Sequence, residues 1–151
     1  MATSVRNATL KVTIEEEINL NGVRQNSENI LRISDINEVS KRIVTIPASE
    51  VTVVLFGDAV AAGTFIEGDV RYIRLTNKDD TNYIILNIEG DSSTDFSVRL
   101  DPGASFLVIS KNTSGVVDYA DISGASLEDL TGIKATANSA ASDLEVFVAS
   151  A

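Results

Sequence analysis

The chain has no cysteine, no histidine and no tryptophan. Without cysteine there is no disulfide framework and no thiolate to act as a nucleophile or soft metal ligand. Without histidine the usual general base is missing, and with it the Ser-His-Asp triad and most zinc sites. Aromatic residues are few, three Tyr and five Phe, so a platform for stacking sugars or bases would rest on very few rings. No apolar run approaches the ~18 residues of a membrane span. The longest, residues 51–56 with one Thr, has the length of a buried strand. The first seven residues, Met1-Ala2-Thr3-Ser4-Val5-Arg6-Asn7, lack the apolar core of a secretory signal. Positive charge is also short: 12 Lys and Arg stand against 22 Asp and Glu, a net charge of −10. That sign opposes binding to nucleic acid or to anionic membranes, so neither is expected as a partner. It suits a protein kept soluble by self-repulsion at high local concentration.

What is present describes one globular domain. The 151 residues are 44% hydrophobic and 23% charged, close to globular averages, and long enough to bury a core without staples. Leu10, Val12 and Ile14 alternate with Thr9, Lys11 and Thr13, the period of a half-buried strand. The same parity runs on through Glu16, Ile18 and Leu20. Glu16 is then either an inward carboxylate at a site or a charge at an edge or bulge that discourages strand addition, and the edge reading is the simpler. Asn21-Gly22 is a strong hairpin signal, because both residues tolerate positive φ. The partner strand is expected at 30–36, with polar residues 24–29 widening the loop. Further strands are expected at 42–46 and 51–56, followed by a small-residue loop at 57–63.

Four strands at 70–76, 83–88, 95–100 and 105–110 recur about every ten to thirteen residues, with turn chemistry between them. Ile73 and Leu75, Ile84, Leu86 and Ile88, Phe96, Val98 and Leu100, and Leu107 and Ile109 define one apolar face. The expected arrangement is an antiparallel meander. Beyond it come a turn at 112–115, a loop at 119–124, one helical turn beginning at Ser126 and stopped by Gly132, a thin strand at 133–137, a turn at 138–142 and a last strand at 144–149. About nine or ten strands and almost no helix point to an all-β, antiparallel two-sheet β-sandwich, jelly-roll-like, with an Ig-like sandwich as the alternative.

Chemistry is scarce. A pair of carboxylates could support glycoside hydrolysis, but no motif selects one among 22. Asn77, Asp79 and Asp80, or Asp91 and Asp95, could supply oxygen ligands to Ca²⁺. Neither turn has EF-hand spacing, and Asx side chains bonding their own backbone explain both. Glu15 and Glu17 share the solvent face of a strand. Lys41, Arg42, Arg71, Arg74 and Arg99 are dispersed and are expected to pair across strands. No catalytic, cofactor-binding or metal-binding residue is therefore assigned, and no enzyme is expected.

Residues 72–87, with their Thr76-Asn77 and Thr81-Asn82 turn, residues 96–108, with Leu100-Asp101-Pro102-Gly103, and residues 144–149 form a succession that resembles small virion proteins of tailed bacteriophages, marine ones especially. The likeness covers most of residues 8–149. It implies a capsid decoration or cement protein on the outer surface of the virion. Such a protein docks on the major capsid protein at local three-fold axes and bridges neighbouring shell subunits. It also implies a homotrimer, and an N-terminal arm at residues 1–8 ahead of a domain at 9–151. The other role the resemblance allows is a tail-fibre or adaptor part, or a host-surface carbohydrate-binding module.

Overall fold

The computed structural model describes residues 6–91, 95–110 and 129–151. Residues 1–5 of the expected arm, the turn at 112–115, the loop at 119–124 and the start of the helical turn at Ser126 lie outside these. Among the described residues the chain forms β1 (Ala8–Glu16), β2 (Asn19–Leu20), β3 (Val23–Arg24), β4 (Ser27–Ile36), β5 (Glu38–Ile46), β6 (Val51–Gly57) and β7 (Thr64–Ile66). A 3-10 turn (Glu67–Asp69) leads into β8 (Val70–Asn77), β9 (Ile84–Gly90), β10 (Phe96–Leu100), β11 (Ser105–Ile109), β12 (Leu130–Ala137) and β13 (Ser142–Ser150).

Two sheets face each other. One runs β11-β8-β13-β5, the other β10-β9-β12-β6-β7. The pairing has a simple logic. β5 pairs with β13, β6 with β12, β8 with β11 and β9 with β10, all antiparallel. This is one long ribbon, doubled on itself and then rolled, so that successive rungs alternate between sheets. The roll closes where β13 meets β8 and where β12 meets β9. That connectivity is the jelly roll, not the immunoglobulin order. Within the two sheets β7 departs from it, adding in parallel to the edge of β6.

The expected meander over residues 70–110 is not formed. β9 and β10 are hairpin neighbours, but β8 and β11 lie in the opposite sheet and pair with each other. Alternation reveals which face of a strand is buried; it does not reveal which strand lies beside it. The β11 face is also corrected. Phe106 and Val108 pack on the main core, while Leu107 and Ile109 point outward opposite Arg74 and Tyr72. A strand apolar on both faces has no readable parity. The thin strand expected at 133–137 is instead a central one, hydrogen-bonded on both sides. Its small residues are the reason: a Cβ on Gly132 would stand 3.1 Å from the Val54 carbonyl oxygen.

The core between the sheets is aliphatic. Ile73, Leu75, Ile84, Leu86, Ile133 and Leu144 are fully buried within it, each contributing about 1.5–3 kcal/mol relative to exposure. The corners of the roll need polar satisfaction, and Asn77 supplies it. Its Nδ2 donates to the carbonyls of Asn82, 2.8 Å, and Leu100, 3.0 Å, and its Oδ1 accepts from the Asp79 amide at 2.9 Å. Its backbone amide donates to the Ala104 carbonyl at 3.0 Å, and its carbonyl accepts from the Gly103 amide at 3.1 Å. One fully buried side chain thus ties the β8–β9 corner to the β10–β11 corner.

Asn77→Ala leaves two carbonyls and one amide without a partner at that junction. The expected loss is on the order of 2–4 kcal/mol, read as a lower urea midpoint at unchanged slope. A loss below about 1 kcal/mol would mean that the corners hold without it.

Candidate functional site: a projecting hairpin and the groove at its base

β1 and β4 form a third layer that lies outside the two sheets. Leu10, Val12, Ile14, Leu31, Ile33 and Ile36 pack on Tyr72, Phe147 and Ala149, which β8 and β13 present on their outer face. Ile33 and Ile36 are three residues apart and would ordinarily point to opposite faces. A bulge resolves this. Between Leu10↔Ile33 and Ala8↔Ile36 the register shifts, and Asp35 takes φ 62°, so both isoleucines turn inward.

Past Ile14 the hairpin runs beyond its support. Every residue from 15 to 30 is exposed. Asn21 and Gly22 take φ 52° and 80°, a type I′ turn closing Leu20 directly against Val23. The wide loop expected over 24–29 does not occur. Instead the ladder is interrupted once, where the Ile18 amide donates to Asn26 Oδ1 at 3.1 Å and the Gln25 amide to the Ile18 carbonyl at 2.9 Å. The overhang also disposes of Glu16. It continues the inward parity of β1, but nothing lies beneath it, and it is solvated. Ile18, Leu20, Val23 and Ile30 are 52%, 56%, 58% and 45% exposed. An isolated two-stranded ribbon is marginal in water, and Ile18, Leu20 and Val23 leave a group of aliphatic side chains exposed at its free end.

At the base, β1 from Leu10 to Thr13 and the side chains of Tyr72, Arg74 and Phe147 line an open groove of about 340 Å³. Arg74 is engaged: it donates to Glu145 Oε1 at 2.5 Å and Thr76 Oγ1 at 2.6 Å, and its guanidinium stands 5.8 Å from the centre of the Phe147 ring. That hydrogen bond from Arg74, with the charges of Arg74, Lys41 and Lys78, holds the Glu145 carboxyl below the usual carboxylate range. Burial pushes the Tyr72 hydroxyl up, opposed by Arg74. Tyr72 and Phe147 meet edge to face at 5.6 Å. Both rings serve the packing of the hairpin.

The remaining sequence candidates resolve as follows. Asp79 Oδ1 accepts from the amides of Asn82, 2.6 Å, and Thr81, 2.8 Å, while Asp80 Oδ1 accepts from the Thr81 hydroxyl at 2.9 Å. These are Asx bonds of the corner. Asp95 Oδ1 accepts from the Gly90 amide at 3.3 Å. Arg99 pairs with the nearby Asp101 at 2.7 Å and lies 4.0 Å over Tyr83, Arg71 donates to the Gly68 carbonyl at 2.6 Å, and Arg42 donates to the Val53 carbonyl across the open side of the sandwich. Of the basic residues expected to pair across strands, Arg74 on β8 does so with Glu145 on β13. The projecting arm was missed from sequence; its signal was the aliphatic parity continuing through Glu16 into Asn21-Gly22.

Fold and site together define a jelly-roll sandwich with a projecting β-arm. No protein-family model matches the sequence, and a comparison with curated proteins gives no match. Among solved structures the chain is similar to one described as "Bacillus endospore appendages form a novel family of disulfide-linked pili", at 9% identity and a TM-score of 0.42, over 99% of this chain and 92% of that one. That likeness is too slight to bear on fold or function.

Glu145 and Asp79 generate an acid-sensitivity prediction. The bond from Arg74 lowers the Glu145 pKa, and the amides of Asn82 and Thr81 lower that of Asp79. Folding therefore favours their ionised forms. Their contribution is complete above the unfolded values near 4 and is lost as pH falls through the lower folded values. The melting temperature should drop steadily below about pH 4. Glu145→Gln should melt lower at neutral pH, decline less steeply in acid and converge on the wild type at the acid end. Parallel curves for the two proteins would remove Glu145 from the account.

Proposed function

We propose that this protein is a non-catalytic structural subunit of a virion, bound to the outside of a phage head and bridging neighbouring shell subunits through its projecting arm. The observation that carries this reading is the run of exposed residues from 15 to 30, with Ile18, Leu20 and Val23 displayed at its end. Burying one such side chain contributes about 1.5–3 kcal/mol, so two or three make a contact that is useful when repeated over a lattice. The body is a jelly roll, an architecture that viral capsid proteins and lectins both employ. A fold alone does not choose between such roles; the resemblance of residues 72–87, 96–108 and 144–149 to tailed-phage virion proteins favours the first. In this reading the hairpin is an arm that reaches the shell. A three-fold docking position belongs to the same proposal, with the trimer assembled on the shell and not in free solution.

The test is to mix the protein with expanded, undecorated heads of the parent phage, then measure bound copies and capsid melting. Saturable binding and a raised melting temperature are expected. Leu20→Lys with Val23→Glu, a pair of opposite sign across the turn, should weaken binding by roughly a hundredfold or more and leave the melting of the free protein within about 1 °C, since a surface change far from any packed group costs little. Absence of binding to heads, together with binding to host cells or glycans, would establish the fibre or host-surface role instead.

A further inference from the structure

We infer that the outward face of the hairpin is a self-complementary surface through which two copies of this chain associate about a two-fold axis. The register places Lys11 opposite Arg32, Thr13 opposite Ile30, and Glu15 opposite Glu28. These three rungs alternate with the inward rungs of Leu10, Val12 and Ile14, so all six side chains share the face that points away from the body. All six residues are exposed. Within the described residues none of the four charged ones forms an ion pair.

The arrangement is unfavourable for a single molecule. Like charges directly opposite on neighbouring strands destabilise a ladder, and here both charged rungs are of that kind. The rungs cannot relieve one another. At about 3.4 Å per residue the basic and acidic rungs stand roughly 14 Å apart, beyond the screening length of about 8 Å at physiological salt. A ribbon that worked alone would be better served by one residue of each sign on each rung. Segregation by rung makes sense only against a partner with the opposite order.

A second copy provides that order. A two-fold axis lying along the Thr13–Ile30 rung brings the two faces together with their strand directions reversed. Each Lys11 then faces the other copy's Glu15, and each Arg32 faces its Glu28. Ile30, 45% exposed, meets its own equivalent on the axis. The contact is isologous, as two-fold interfaces are: four ion pairs of matched sign around a small apolar centre. A contact of three rungs is far smaller than a standard interface. It is therefore weak between free molecules, salt-sensitive, and effective where copies are held close together. It uses a different set of side chains from the Leu20–Val23 tip and does not depend on what the tip binds.

A charge-swap experiment tests it. Sedimentation equilibrium of the whole chain, up to about 1 mM, should show a monomer–dimer equilibrium near 0.05 M salt whose dissociation constant rises roughly tenfold or more by about 0.5 M. The variant Glu15→Lys with Glu28→Lys carries only basic rungs, and Lys11→Glu with Arg32→Glu only acidic ones. Each should be monomeric alone, and a one-to-one mixture should form a heterodimer tighter than the wild-type dimer. Circular dichroism melting of each variant verifies that it is folded. A wild type that stays monomeric at low salt overturns the inference, whatever the mixture does. So does a dimer or trimer that persists unchanged in both variants.

Discussion

Asn77 stands where the rolled ribbon is most vulnerable. Rolling takes the chain out of one sheet and into the other, and at each corner backbone amides and carbonyls leave the ladders that would satisfy them. Buried without partners, each such group costs about 1–3 kcal/mol. At the β8–β9 and β10–β11 corners one amide side chain serves both crossings, while its own backbone amide and carbonyl bind residues 103 and 104. The corner then continues outward through the Asp79 bonds to Thr81 and Asn82. With these satisfied, the inner strands can bring Ile73, Leu75, Ile84 and Leu86 together without exposing polar backbone to the core. The sandwich, its floor of Tyr72 and Phe147, and the arm that rests on that floor all follow from a closed roll.

Much of the sandwich could be read from residue order. Alternation located β8, β9, β10 and β13 within a residue or two, and Asn21-Gly22 marked its turn. The failures share one cause, that the needed information was not local. Ser105 to Ile109 is apolar on both faces because β11 has the core on one side and the hairpin layer near the other, so its parity could not be read. β12 looked thin because glycine and alanine carry little hydrophobic signal, yet their smallness is what lets it lie between β6 and β9. The meander was inferred from spacing, whereas the roll depends on strand pairs far apart in sequence, such as β5 with β13 and β6 with β12.

The arm shows how one pattern serves two purposes. The parity that buries Leu10, Val12 and Ile14 at the base continues to Ile18 and Leu20 where no floor remains. The bulge at Ser34–Asp35 sets which residues of β4 face down, and so determines that Ile30, Arg32 and Glu28 face up. Sequence alone could show neither the overhang nor the like-signed rungs, since both require the register of β1 against β4.

The arm is also joined to the body in a particular way. β4 passes into β5 through the single residue Asn37, whose amide donates to the Ser150 carbonyl at 3.0 Å. From there β5 is zipped to β13 from Glu38↔Ser150 to Ile46↔Ser142. A force applied to the arm, whatever holds its tip, enters the sandwich at one end of that ladder and is shared with the apolar cluster beneath the hairpin. Tension on the arm thus reaches an edge strand, β5, through the bond at Asn37 before it reaches the aliphatic core between the sheets.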